Sequence, residues 1–424
     1  MVTIDSFKVK PNKKIVDDIP IQIVYIPLSN KLGLKYDECV KVGDRVCIGS
    51  ILGKSKISDT KLLSSVSGTV VGFDEKYISN NTLSKCVVIE NDFKEKYLNK
   101  LGKKNDITKY SKDEFIYMLK ENGVIGMSGN GFPTYIKYDN NNDIKYLIIN
   151  GVECEAFVSS DSAVMYNSPE EILECIDAIL EIMHIDKAYI AINEKNEMVI
   201  KKMLRYINTY PNIKIYPVID AYPAGYERYL VKEILNLGYD RLPLEVGALV
   251  ENVSTIKAIY DVLKYHKPLS ERIVTIAGDG VKNPANYLLK IGTNLSEVIL
   301  KTELSKKVDN PVLIAGGALM GTSIKSDEFI ITPDVNCIII NASKSEEIMP
   351  CIKCGKCSEV CPMNLIPSLI IENSAVKKDL MINKCIGCGL CSYVCPSKIE
   401  VRDLIKEIKE KSHEWVSYWK KSFY

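Results

Sequence analysis

Fourteen cysteines occur in 424 residues, and eight of them fall between Cys351 and Cys395. They spell one pattern twice: Cys351-x2-Cys354-x2-Cys357-x3-Cys361-Pro362, then Cys385-x2-Cys388-x2-Cys391-x3-Cys395-Pro396. Three thiols at three-residue spacing can wrap one corner of a cubane from a single loop, and a fourth followed by Pro is thrown across to the other site. The pattern predicts two [4Fe–4S] clusters with exchanged ligands. One takes Cys351, Cys354, Cys357 and Cys395; the other takes Cys385, Cys388, Cys391 and Cys361. Tetrahedral zinc usually takes two C-x2-C knuckles separated by a longer loop, a different spacing. Small neighbours (Gly355, Gly387, Gly389, Ser358, Ser392) leave room for backbone N–H groups near the sulfurs.

The remaining cysteines read differently. Cys39, Cys47, Cys86, Cys175 and Cys337 sit in apolar or strand contexts and fit packing roles. Cys154, between Glu153 and Glu155 at a strand end, is open to a redox or cofactor contact as well as to packing. A disulfide framework would spread its cysteines over a small secreted domain. Three histidines (His184, His266, His413) argue against a histidine-rich metal site or haem ligation.

A second candidate is the glycine-dense stretch Gly123-Val-Ile-Gly126-Met-Ser-Gly129-Asn-Gly131-Phe-Pro-Thr134-Tyr-Ile-Lys137. Glycines let a backbone close on a phosphate or flat ring, and Lys137 could neutralise a phosphate charge. A plain structural turn is an equal reading of the stretch alone. Its spacing is not the G-x-G-x-x-G dinucleotide fingerprint.

The elements that must hold these residues come in blocks. Up to residue 110, short β-branched runs (IQIVYIPL, VKVGDRVCIG, SVSGTVVGF, CVVIE) alternate with turns. They resemble the barrel-sandwich hybrid of biotinyl and lipoyl carriers, but Lys56 and Lys61 lack the context of a modified lysine. This block is expected to be structural. Residues 111–268 alternate strands and helices, which predicts α/β layering on a largely parallel sheet. One helix should open at Ser168-Pro169-Glu170-Glu171, with Ser168 as N-cap. Strands return over 269–342, and 343–424 holds the cysteine repeat and an amphipathic tail (Leu404–Trp419). The fold class is therefore multidomain α/β plus β.

Bulk properties narrow the function classes. Lys plus Arg number 55 against 54 Asp plus Glu, a formal net charge of +1, which gives a nucleic-acid binder no basic field. No uninterrupted apolar run reaches about 18 residues, and MVTIDSFKVKPNKK has no signal-peptide core. A cytoplasmic protein is expected.

In combination the motifs resemble a known family. The glycine stretch resembles the G-x-G-G-x-G-F-P-T-x-x-K loop of the NADH-binding flavoprotein subunit of respiratory complex I and of the RnfC family. Leu147-Ile-Ile-Asn150-Gly-Val-Glu153-Cys-Glu155 is similar to the family's L-I-I-N-G-A-E-C-E-P. Tyr222-Pro-Ala-Gly225-Tyr-Glu227 is similar to Y-P-x-G-x-E, and Asn252-Val-Ser-Thr255 to N-V-x-T. Val281-Lys-Asn-Pro284 resembles the family's SLBB β-grasp domain, and Gly316-Gly-Ala-Leu-Met-Gly321 the segment after it. A barrel preceding the flavin loop is the order of RnfC itself.

The resemblance implies four domains: a barrel-sandwich hybrid (1–110), an FMN/NADH-binding α/β domain (111–268), an SLBB β-grasp domain (269–342) and a two-cluster ferredoxin-like domain (343–424). It implies FMN on Gly126, Gly129, Gly131 and Lys137. Asn150, Glu153 and Glu155 would meet the isoalloxazine edge or nicotinamide ribose, and Tyr222, Glu227, Asn252 and Thr255 would complete the pocket. NADH would reduce the flavin, and two [4Fe–4S] clusters would take the electrons. No side-chain general base is needed, because the flavin carries the hydride chemistry. The implied setting is the peripheral subunit of an Rnf-type NADH:ferredoxin oxidoreductase, docked on membrane partners at the inner face of the cell membrane. Three departures bear on it. Ser128 replaces a glycine of the loop, Asn130 a small residue, and Gly225-Tyr226-Glu227 lacks a paired Glu. FKVKPNKK also lacks G-G-I-H-P, which keeps open a soluble relative feeding a cytosolic reductase such as proline reductase. An interaction protein with clusters and no flavin is a third reading.

Overall fold

A computed structural model describes residues 1–424 except 59, 100, 102–104, 130, 141–142, 305–310, 343–346, 373–380 and 412–424. Asn130 and the end of the expected tail thus lie outside the described residues, while Val401–Lys411 is helical.

The first block folds as two small antiparallel sheets. One has the order 23–27, 83–91, 68–77, 45–46; the other runs 37–38, 51–54, 61–63. Alternating apolar residues put Val24, Leu52, Val70 and Ile89 inside with no exposure. The first sixteen residues do not join this barrel. Val2 pairs with Tyr222, Ser6 accepts from the Phe157 amide, and Val16 pairs with Tyr287. They form a strap across the next two units.

The second block is a four-stranded parallel sheet in the order Ile213–Val218, Lys187–Asn193, Tyr146–Gly151, Ala248–Asn252. Its strands are near-continuous apolar runs because helices cover both faces. Helix Pro169–Met183 buries Ile172, Leu173, Ile176, Ile179 and Leu180 against helix Val253–Tyr265. Ser168 does occupy its N-cap, but the side chain makes no cap hydrogen bond. The same residue ends the preceding helix Ser160–Asn167, with its amide bonded to the Val164 carbonyl. In chain order the strands read 3-2-1-4, so the direction of winding switches between Tyr146–Gly151 and Ala248–Asn252. The carboxyl ends of strands at such a switch are where open α/β sheets leave a crevice.

The third block is a five-stranded mixed sheet in the order 285–290, 271–277, 337–341, 312–315, 322–324, with helix Leu295–Lys301. Its central pair, 271–277 with 337–341, is parallel.

The last block repeats itself in backbone as well as in sequence. The offset between motifs is 385 − 351 = 34 residues. The left-handed positions Lys353, Gly355 and Asn364 recur 34 residues later at Gly387, Gly389 and Lys398. Helices beginning at Lys356 and Pro367 recur at Leu390 and Val401. Among the described residues no helix is long and apolar enough to cross a membrane.

Candidate functional site

The strand ends at the switch carry two asparagines whose side chains fix the surrounding loops. Asn150 donates to the Gly225 carbonyl (2.8 Å) and accepts from the Val152 amide (3.0 Å). Asn252 caps helix Val253–Tyr265 through the Ser254 amide (2.9 Å) and donates to Asp161 (2.6 Å). Above them lies a cavity of about 460 Å³, within the range of small-molecule and cofactor sites.

The glycine stretch forms one wall. It follows helix Lys112–Glu121, which starts in a Ser111/Glu114 capping box. The loop closes on itself through Gly126 N to Phe132 O (2.7 Å) and Gly131 N to Gly126 O (3.2 Å). Thr255 holds it from behind, its hydroxyl accepting from the Met127 amide (3.0 Å). Gly129 takes a φ of 93°, open only to residues without a Cβ penalty.

Of the eleven residues expected to bind cofactor, Gly129, Lys137, Asn150, Glu153, Glu155, Tyr222, Glu227 and Asn252 line this cavity. Gly131 lines an adjoining space of about 90 Å³, and Gly126 and Thr255 support the loop rather than the lining.

The two glutamates of the Asn150–Glu155 segment are already occupied. Glu153 accepts from the Asp161 amide (2.7 Å), the Ser162 amide (3.0 Å) and the Ser162 hydroxyl, so it caps helix Ser160–Asn167 from a distance. Burial pushes its carboxyl up to about 7, with Asp161 adding to the rise and Lys8 opposing it. Glu155 accepts from the Leu319 amide (2.7 Å) and the Met320 amide (3.1 Å), which fastens the Gly316–Gly321 turn to the α/β unit. A Cβ on Gly317 would overlap the Glu155 carboxylate and push it off these two amides. Both acids shape the cavity through backbone amides.

Several lining residues carried no motif. Lys31 and Ser79 reach in from two turns of the N-terminal barrel, and Asp334 from the mixed sheet. Glu251 immediately precedes Asn252 in an otherwise apolar strand, which is a legible signal. Its side chain is 1% exposed. Lys137 Nζ sits 3.2 Å from Glu251 Oε2 but aims its hydrogen bond at the Val250 carbonyl (2.9 Å), leaving both Glu251 oxygens without an aligned donor. Burial raises the Glu251 and Glu227 carboxyls, and Lys137 works against both shifts. Cys154 also lines the cavity, and burial pushes its thiol up to about 11, so it is not a ready thiolate.

These walls fit FMN. Buried carboxylate oxygens that make no hydrogen bond (Glu251 Oε1 and Oε2, Asp334 Oδ2), two of them beside a lysine ammonium, suit a ligand rich in N–H and O–H groups. Gly225, whose Cβ would lie 2.6 Å from the Val152 carbonyl, keeps the floor flat.

The cysteine repeat lies against this cavity. Cys361, Cys385, Cys388 and Cys391 surround one space, so the fold brings the fourth cysteine of the first motif to the three of the second. Burial raises the Cys388 thiol, and neighbouring Cys385 and Cys361 add to the rise. The Leu365 amide points at Cys361 Sγ (3.3 Å) and the Gly387 amide at Cys385 Sγ (3.5 Å). In the other set, Ser397 bonds to Met349 and Pro350, drawing the Cys395 stretch beside Cys351. The space enclosed by Cys361, Cys385, Cys388 and Cys391 fits a cluster.

Comparison with known proteins matches three of the four blocks. Residues 2–94 match the RnfC barrel sandwich hybrid domain, 119–261 the Nuo51 FMN-binding domain, and 350–399 the 4Fe-4S dicluster domain. One relative, a component of the ion-translocating oxidoreductase complex of Vibrio cholerae, is 30% identical over 364 residues, covering 82% of this chain and 46% of that protein. Another, from the proton-translocating ferredoxin:NAD(+) oxidoreductase complex of Clostridium ljungdahlii, is 29% identical over 382 residues, covering 86% of this chain and 81% of that one. The chain thus spans about half the length of the Vibrio relative. Part of an NAD+-reducing [NiFe]-hydrogenase superposes with a TM-score of 0.49 at 15% identity, over 72% of this chain and 55% of that chain, too loosely to bear on function.

Proposed function

We propose that the chain, whose N-terminal unit matches the RnfC barrel sandwich hybrid domain, is the RnfC-type electron-transfer subunit of an Rnf-type NADH:ferredoxin oxidoreductase, with FMN in the large cavity and two [4Fe–4S] clusters in the C-terminal unit. The observation that carries this reading is a direct bond between the two sites: the Tyr222 hydroxyl, which lines the cavity, donates to the Cys388 carbonyl (2.6 Å).

When bound, FMN exchanges paired for single electrons and each cubane carries single electrons. The residues bind and orient. Gly129 and Gly131 give the loop its close approach, Asn150 and Asn252 fix the loops that leave the two paired strand ends, and Glu153 and Glu155 fix the flanking turns. Tyr222, with Cys154, Leu319 and Leu390, closes an apolar seal between cavity and thiols that keeps water out. Cys351 and Cys354 are exposed, beside exposed Ile348, Met349 and Ile352, a surface suited to a partner protein. This order makes Cys361, Cys385, Cys388 and Cys391 the ligands of the inner cluster, and Cys351, Cys354, Cys357 and Cys395 those of the outer one. The mixed sheet with its parallel central pair and single helix supports a β-grasp reading of 269–342. The other boundaries of this reading are 1–110, 111–268 and 343–424, with the first sixteen residues as a strap.

Anaerobic purification tests the proposal. The account expects flavin released by heat and about eight iron and eight sulfide per chain, as two cubanes require. Stoichiometric zinc without sulfide, or intact clusters with no flavin bound on titration, would overturn it.

A further inference from the structure

We propose that Lys31, carried by the N-terminal barrel, is the cation that holds the phosphate of the nucleotide in the large cavity, in place of Lys137 of the glycine stretch. The inference rests on the flavin and NADH reading above and adds a role for the barrel.

Lys137 is spent inside the fold. Its ammonium lies 3.2 Å from the buried Glu251, donates to the Val250 carbonyl and feels Glu227 as well. An anion placed there would face two carboxylates behind one cation. Attraction of that kind is largely cancelled.

Lys31 is placed differently. Its turn is rigid: the Asn30 side chain accepts from the amides of Leu32 and Leu34, both at 3.0 Å, and Gly33 follows at a φ of 80°. The Lys31 carbonyl accepts from Asn80 (3.2 Å), which locks this turn to the one bearing Ser79. Both turns face the cavity. Among the described residues the ammonium has one partner, Asp334, at 3.4 Å, longer than a hydrogen bond. Asp334 turns its other oxygen to the Thr332 hydroxyl (2.6 Å). The glycine stretch lies against the same aspartate, since a Cβ on Gly129 or Gly131 would come within 4.0 or 3.8 Å of it. A phosphate seated on the glycine backbone therefore meets Lys31, which has three donors to turn from Asp334.

The phosphate could belong to the flavin or to NADH, and titration separates them. The full chain, clusters intact and flavin removed, is titrated with FMN, riboflavin and NADH by fluorescence. For a flavin phosphate, Lys31→Met weakens FMN about ten-fold or more and leaves riboflavin unchanged. For an NADH phosphate, Lys31→Met weakens NADH by that factor and spares both flavins. In either case the paired variant Lys137→Met/Glu251→Gln, which removes both charges together, keeps the preference of the wild type, and Asp334→Asn tightens the affected ligand. Unchanged affinities in Lys31→Met, or a preference lost only in the paired variant, overturn the inference. A wild-type chain that binds none of the three ligands overturns the proposed function as well.

Discussion

The phenolic oxygen of Tyr222 lies 2.6 Å from the carbonyl oxygen of Cys388, so one side chain touches both the large cavity and the backbone of the second cysteine motif. The ring is fully buried, and burial lifts its hydroxyl far above the usual range, which keeps it a donor at any working pH. Tyr222→Phe removes this bond and leaves the carbonyl unpaired, at a cost of about 1 kcal/mol. The cluster signals should split: that of the second motif shifts in electron paramagnetic resonance and potential, while that of the first is unchanged.

The 34-residue repeat offers an internal control. Gly355 and Gly389 both take a φ of 77°. A Cβ on Gly355 meets nothing within 4 Å, whereas one on Gly389 would overlap the Leu319 carbonyl on the turn that Glu155 fastens. Gly355→Ala should cost only backbone strain, about 1–2 kcal/mol. Gly389→Ala should cost clearly more in denaturant unfolding, because it also pries the cluster unit from the flavin unit. Equal costs would mean the units are not docked this way.

The Lys137–Glu251 pair gives a thermodynamic cycle. Lys137→Met leaves a buried carboxyl without its cation, a loss of about 3 kcal/mol at pH 8. Burial already raises that carboxyl, so the folded state favours its proton and the loss should shrink as the pH falls. Glu251→Gln in the same chain should restore most of the stability.

The architecture was readable in strand and helix periods and in the cysteine spacing, because local patterns encode them. Three of the four parallel strands, the helix at Ser168 and the repeat occupy their expected places. What the sequence left out came from residues far apart in the chain. Lys31 and Ser79 belong to turns with no motif, and only tertiary packing puts them beside Gly129. Glu153 and Glu155 line the cavity as the motif implies, but the bonds of their carboxylates to amides of residues 161–162 and 319–320 were not legible in it. Nothing local marks the first sixteen residues as a strap.

A pH effect of another kind is expected at Glu271, on the first strand of the mixed sheet. Burial would raise its carboxyl, but Lys267 (2.5 Å) and Lys290 (2.8 Å) outweigh burial and lower it to about 2. The depressed value stabilises the fold above the ordinary carboxyl range, by on the order of 3 kcal/mol, and that contribution is lost as pH falls from about 4.5 toward 2. The unfolding difference between wild type and Glu271→Gln should be greatest near neutrality and shrink through that window.

The central claim is that the cavity and the cysteine repeat form one electron path that NADH can enter. Adding NADH to the anaerobic, flavin-loaded chain and following flavin and cluster absorbance separately tests it most directly. The account predicts that both bleach without any other protein present, and that Cys361→Ser loses the cluster response while the flavin still bleaches. If NADH leaves both oxidised while a dithiol or reduced ferredoxin bleaches them, NADH does not enter here, and the chain is a carrier fed by another donor.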